Sequence, residues 1–285
     1  MKNIIITNKQ LNILQEEYGN KLYQYQNDID NVCNDILHQI QNGNNSFITR
    51  IEGNIEKTIA DWKIAVKTEI NDKLTHISGE INFDTWSPKA TIILYIQYTN
   101  ESLQNGELLR KIKTAIFHEL THSSDKRQAI NGWNNNDDVE LSDYDYDYEN
   151  NASLINGKLS KPIQDVLYIL FNFSELNAFS TEIYQDALNN IPFNQTDTYN
   201  EIYLPLKQSL NYIENNIKND ELKTLQNFFA TKRYQRTYSS DYFDKKSLYD
   251  FYKWFVREVN ERLDKFSYKM QRAYYKGKID NQKNI

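Results

Sequence analysis

The chain has 285 residues, 39% of them hydrophobic and 25% charged, with a net charge of −6, a globular composition with enough material for one large domain or two modest ones. A single cysteine, Cys33, rules out an internal disulfide and a cysteine-rich metal site, and no apolar run reaches the roughly 18–20 residues of a membrane span. Eight glycines and four prolines set against 21 tyrosines and 13 phenylalanines disfavour a turn-rich β fold and favour helices packed through aromatic rings.

The apolar start at Ile4-Ile5-Ile6 is too short for a signal peptide, so the chain reads as cytoplasmic. Across 8–42, Leu11, Leu14, Tyr18, Leu22, Tyr25, Ile29, Val32, Ile36 and Ile40 recur at steps of three and four, close to a heptad seam. Gly43-Asn44-Asn45 interrupts it, and Ile51, Ile55, Ile59, Trp62, Val66, Ile70, Leu74 and Ile77 then repeat the spacing. Residues 1–80 are therefore expected to form an N-terminal antiparallel helical hairpin, and the same seams suit contacts with another protein chain. Gly79 to Pro88 reads as a turn. Ala90 to Tyr98, rich in β-branched and aromatic residues, reads as a strand, either at the edge of a small sheet where an extended peptide could add to it or as the core of that sheet, and Asn100 to Gly106 as a loop.

The next element carries the most informative feature. Leu108, Leu109, Ile112, Ile116 and Leu120 predict an amphipathic helix over about 106–124, and on it stands His118-Glu119-Leu120-Thr121-His122. Residues four apart on a helix lie on one face, so the two imidazoles can reach one divalent ion such as zinc. Glu119 lies between them, placed to take a proton from a water on that ion. The chain has only four histidines, the others being His38 and His76. The competing interpretation is a solvated helix face with two ordinary histidines. A catalytic zinc needs a third protein ligand, and Gln128 occupies the place where a third histidine would stand six residues after the second. Asp125 falls on the same helix, and suits an outer hydrogen-bond acceptor better than a third ligand.

Residues 131–158 contain Asp137, Asp138, Glu140, Asp143, Asp145, Asp147 and Glu149 with few core formers, and read as a long acidic loop or flap. A second apolar stripe follows at Ile163, Val166, Leu167, Leu170, Phe171, Ala178 and Ile183. Glu175 lies inside it, where a carboxylate is expensive to bury unless it is paired or binds metal. Glu175 is the expected third ligand, with Glu182 in reserve. Beyond Ile191-Pro192, segments 200–230 and 245–275 read as helices, with a frayed tail from Gly277. The end of the chain is basic, 15 Lys and Arg against 8 Asp and Glu over 221–285. It carries no nucleic-acid motif, so nucleic acid is not an expected partner.

The paired segments, HExxH and Glu175-Leu176-Asn177-Ala178-Phe179-Ser180-Thr181-Glu182, resemble the minimal gluzincin peptidases of the ImmA/IrrE type over the middle third of the chain. Glu175, Asn177, Phe179 and Ser180 fall on that family's second motif. The resemblance implies a zinc metallopeptidase with His118, His122 and Glu175 as ligands and Glu119 as general base. It also implies a zincin-like core over 81–190, leaving 191–285 as a helical region packed on it. The expected fold is mainly α with a small β-sheet, the expected cofactor Zn2+, and the expected partner a protein or peptide substrate, without membrane. Tyr184, Tyr168 and Tyr234 are the candidates for stabilising an oxyanion. The alternative is a non-catalytic structural or interaction protein that keeps the same core.

Overall fold

The computed structural model describes residues 26–55, 58–83, 89–132, 157–171, 173–230 and 245–283, together with Ile155 and Phe243. It is a mainly helical α+β protein with one four-stranded mixed sheet, the class that composition led us to expect. The chain divides into two compact units, 1–124 and 125–285. None of the described helices is long and apolar enough to cross a membrane.

In the first unit, helix α1 (Gln26–Gln41) is followed by strands β1 (Ser46–Ile55), β2 (Thr58–Ile70), β3 (His76–Phe83) and β4 (Lys89–Tyr98). A one-turn helix α2 (Asn100–Gln104) then leads into α3 (Glu107–Gly132). The sheet order is β1-β2-β4-β3, antiparallel except for the parallel β2–β4 pair. The register aligns Ile64 with Ile92, Val66 with Leu94, and Ile96 with Ile77. Residues paired across strands share a face, so one side of the sheet becomes apolar. Ile29, Val32, Cys33, Ile36 and Ile40 of α1, and Leu108, Ile112, Ile116, Phe117 and Leu120 of α3, complete that core. Burial pushes the Cys33 thiol up to about 12, so it behaves as a small apolar group.

The expected helical hairpin over 1–80 is corrected here. Its first arm is helical where it is described, over Gln26–Gln41; residues 1–25 lie outside the described residues. Its second arm is β1, β2 and most of β3. The three- and four-residue spacing from Ile51 to Ile77 misleads, because the core selects a period of two: Ile64 and Val66 are buried, while Lys63, Ala65 and Lys67 at the alternate positions are not. β-branched side chains are restricted at χ1 in a helix and pack well on a pleated surface, which tips a segment this rich in Ile, Thr and Val toward strand. The expected strand at 90–98 is present as β4, but inside the sheet, with β1 and β3 at the edges. Its near-continuous run Ile92-Ile93-Leu94-Tyr95-Ile96 is that of an inner strand. The loop expected over 100–106 contains α2, started by a reciprocal cap in which the Ser102 amide donates to Thr99 Oγ1 at 3.0 Å and the Thr99 amide to Ser102 Oγ at 3.2 Å.

The second unit is helical: α4 (Lys161–Leu170), α5 (Phe173–Leu188), a 3₁₀ turn at Phe193–Gln195, a π-helical turn at Thr198–Tyr203, α6 (Leu204–Asn216), α7 (Asn219–Phe229) and α8 (Leu248–Lys283). Phe171, Phe228, Phe229, Phe243, Phe251, Trp254 and Phe255 form its aromatic centre, with ring centroids such as Phe243–Trp254 4.8 Å apart. The buried Glu221 accepts the backbone N–H of Ser160 at 2.9 Å and of Lys218 at 3.0 Å, joining the starts of α4 and α7. The acidic stretch expected over 131–158 falls almost wholly outside the described residues.

The tail expected to fray from Gly277 is instead helical to Lys283, because Gly277 is where α8 meets α5. A Cβ there would lie 2.6 Å from the carbonyl oxygen of Tyr184 and 2.7 Å from Ala187 Cβ. Alongside, the Tyr184 hydroxyl donates to Asp280 at 2.9 Å, and Lys276 pairs with the same carboxylate. Gly277→Ala should lower the urea midpoint with an unchanged slope, at a cost of about 1–3 kcal/mol for overpacking a tight helix contact.

Candidate metal centre

Helix α3 presents two faces to two tasks. Ile112, Ile116, Phe117 and Leu120 are fully buried in the core of the first unit. His118 and His122, one turn apart, are half-buried on another side. Their Nε2 atoms are 3.0 Å apart and their rings meet edge-on, centroids 4.8 Å apart. Two ligand atoms on a tetrahedral zinc, with bonds of about 2.0–2.1 Å, stand about 3.3 Å apart. The pair is therefore already set near metal-binding separation by helical geometry alone.

Glu119, 6% exposed, projects toward the sheet. Its carboxylate lies against Gly79 of β3: a Cβ at that glycine would come within 2.5 Å of Glu119 Oε1. Reading the sequence as a turn at Gly79 missed this residue. The overlooked signal was a glycine flanked at two-residue steps by Ile77 and Ile81, a strand face with one side chain missing.

Glu175 stands in the first turn of α5, where the helix dipole favours a negative charge. It is 6% exposed, and the Tyr168 hydroxyl donates to its Oε1 at 2.9 Å. One ligand atom from each of His118, His122 and Glu175 falls within 4.8 Å of the others, and this group could hold a metal ion. Two imidazoles and a carboxylate are a donor set suited to a divalent ion of borderline character. Among the described residues no other group of three or more His, Cys, Asp or Glu is so arranged.

The remaining candidates have other places. Glu182 accepts a hydrogen bond from Thr198 Oγ1 at 2.6 Å and is not in the group. His38 and His76 are exposed and apart from it. The side chain of Asp125, and Tyr234 altogether, lie outside the described residues. Tyr184 is buried with its hydroxyl committed to Asp280; burial, reinforced by that carboxylate, pushes its pKa well up, which makes it a structural phenol. Asn177, in the same segment as Glu175, accepts from Lys269 of α8, and Phe179 packs edge-on against Phe266. Those two positions therefore hold α5 to α8.

No protein-family model, curated protein or solved structure matches this chain.

The Tyr168 ring is 44% exposed, so its hydroxyl can be removed with little change in packing. Tyr168→Phe should weaken divalent-metal binding about 10–100-fold, the usual effect of losing a hydrogen bond that orients a ligand. A competition titration against a chromophoric chelator measures it, and the thermal midpoint of the metal-free protein should stay within about 2 °C of the parent's for loss of one half-exposed hydrogen bond.

Proposed function

We propose that the chain is a zinc-dependent metallopeptidase of the gluzincin type. One observation carries the proposal: the imidazoles of HExxH and the carboxylate of Glu175, distant in sequence, come within 4.8 Å of one another. Two further features support it. The carboxylate of the motif, Glu119, is buried against Gly79 of β3, and β3 is an edge of the described sheet.

His118, His122 and Glu175 would hold the ion. When bound, zinc would polarise a scissile carbonyl and acidify a water to a pKa of about 7. Glu119 would take the proton from that water and hand it to the leaving amine, the role of a general base that becomes a general acid. Tyr168 would keep the Glu175 carboxylate turned toward the ion. The outward backbone groups of β3 would receive an extended peptide as an added strand, ladder hydrogen bonds fixing the main chain while pockets choose the side chains. The substrate is accordingly a protein or peptide, and the lone buried Cys33 suits a cytoplasmic setting.

Glu119→Gln tests the proposal. Zinc content should remain that of the parent, while cleavage of a peptide library falls about 10²–10⁴-fold, the usual contribution of a positioned base. Undiminished cleavage in this variant would remove the base, and a parent chain that takes up no zinc would remove the enzyme.

A further inference from the structure

Gly43, Gly106 and Gly157 have positive φ and open space around the position of a Cβ, so the backbone explains them. Gly79 is different. It does not have a positive φ, it sits within β3, and glycine inside a strand weakens it. Gly79 is paired with Leu94 of β4, which puts it on the same face as Ile77 and Ile81, both packed against the core. The alternation calls for an apolar side chain at 79. The volume it would fill is taken by Glu119, whose Oε1 would be 2.5 Å and whose Cδ and Cγ 2.9 Å from a Cβ there.

We infer that Gly79 is a positioning residue for Glu119: the missing side chain in β3 is the slot that fixes where the carboxylate of HExxH stands. The inference rests on the peptidase reading for what the carboxylate does, and on the contact alone for where it is held. The atoms that a methyl at 79 would strike are the outer end of a flexible side chain. Gly79→Ala therefore moves the carboxylate before it moves the strand, and a base displaced by about 1 Å can lose on the order of 10²-fold in rate. Glu119→Ala, which lacks Cγ, Cδ and Oε1, removes all three of these atoms from the collision.

The test is a double-mutant cycle with two readouts on the full chain. In the metal-free protein, Gly79→Ala should lower the thermal midpoint by several degrees, and in the Glu119→Ala background the same change should cost about one degree or less. In the zinc-loaded protein, Gly79→Ala should lower kcat about 10²-fold with KM and zinc affinity within about threefold of the parent. If Gly79→Ala alone does not fold, the double variant is expected to fold. Equal midpoint losses in both backgrounds, a double variant that also fails to fold, or a Gly79→Ala enzyme with parental kcat would each overturn the inference. Coupled midpoints in a chain whose parent cleaves nothing would support the slot and sink the peptidase reading. Uncoupled midpoints in an active enzyme would do the reverse.

Discussion

Two imidazole nitrogens 3.0 Å apart cannot both direct lone pairs at the space between them. Either a proton is shared across that gap, as in a donor–acceptor pair of two ring nitrogens, or a cation occupies the place where the lone pairs meet. The carboxylate of Glu175, 6% exposed and within 4.8 Å of the same atoms, completes a group of three that could hold a metal ion. A buried carboxylate is favoured by positive charge or several donors, and a divalent ion bound there would meet all three acceptors together. The chemistry proposed for this protein follows from that convergence, and so does the need for the hydrogen bond from Tyr168.

Much of the surrounding structure holds the parts of this arrangement still. Helix α3 is held on one side by the sheet core, through Ile112, Ile116, Phe117 and Leu120, and by the ion pair of Lys113 with Asp30 of α1 at 2.7 Å. A half-exposed pair of this kind adds about 1 kcal/mol or less, so the apolar contacts do most of the anchoring. Helix α5 is held along its length by α8, through Asn177–Lys269, Phe179–Phe266, Tyr184–Asp280 and the close approach at Gly277. Arg262 of α8 secures the end of α4, donating to the Leu170 carbonyl at 3.2 Å and lying over the Phe171 ring at 4.2 Å. Sites built on helices fixed in this way keep their ligands in register more closely than sites built on loops.

The legible part of the sequence was the part whose chemistry is local. Two histidines four apart announce their shared face whatever surrounds the helix, and a glutamate inside an apolar stripe announces that something must compensate it. The sheet was less legible because its strands are rich in isoleucine, and isoleucines four apart at Ile51, Ile55 and Ile59 satisfy helical and extended periods alike. Only burial separates the two, and burial is a property of the partners: Ile70 is exposed and Ile64 buried because of what α1 and α3 cover. β4 was recognisable as a strand, its composition leaving edge and inner positions both open, and Gly79 looked like a turn until β3 paired with β4 and brought it against Glu119. Gly277 was misjudged likewise, since a glycine ends a helix unless another helix needs the space.

Anomalous X-ray diffraction at the zinc edge, from crystals of the zinc-loaded chain, addresses the centre most directly. A metal held as proposed gives one strong peak, about 2.0–2.2 Å from an imidazole nitrogen of His118, an imidazole nitrogen of His122 and a carboxylate oxygen of Glu175. A peak bound by the two histidines with Glu175 turned away, or no peak beside them at all, would contradict it.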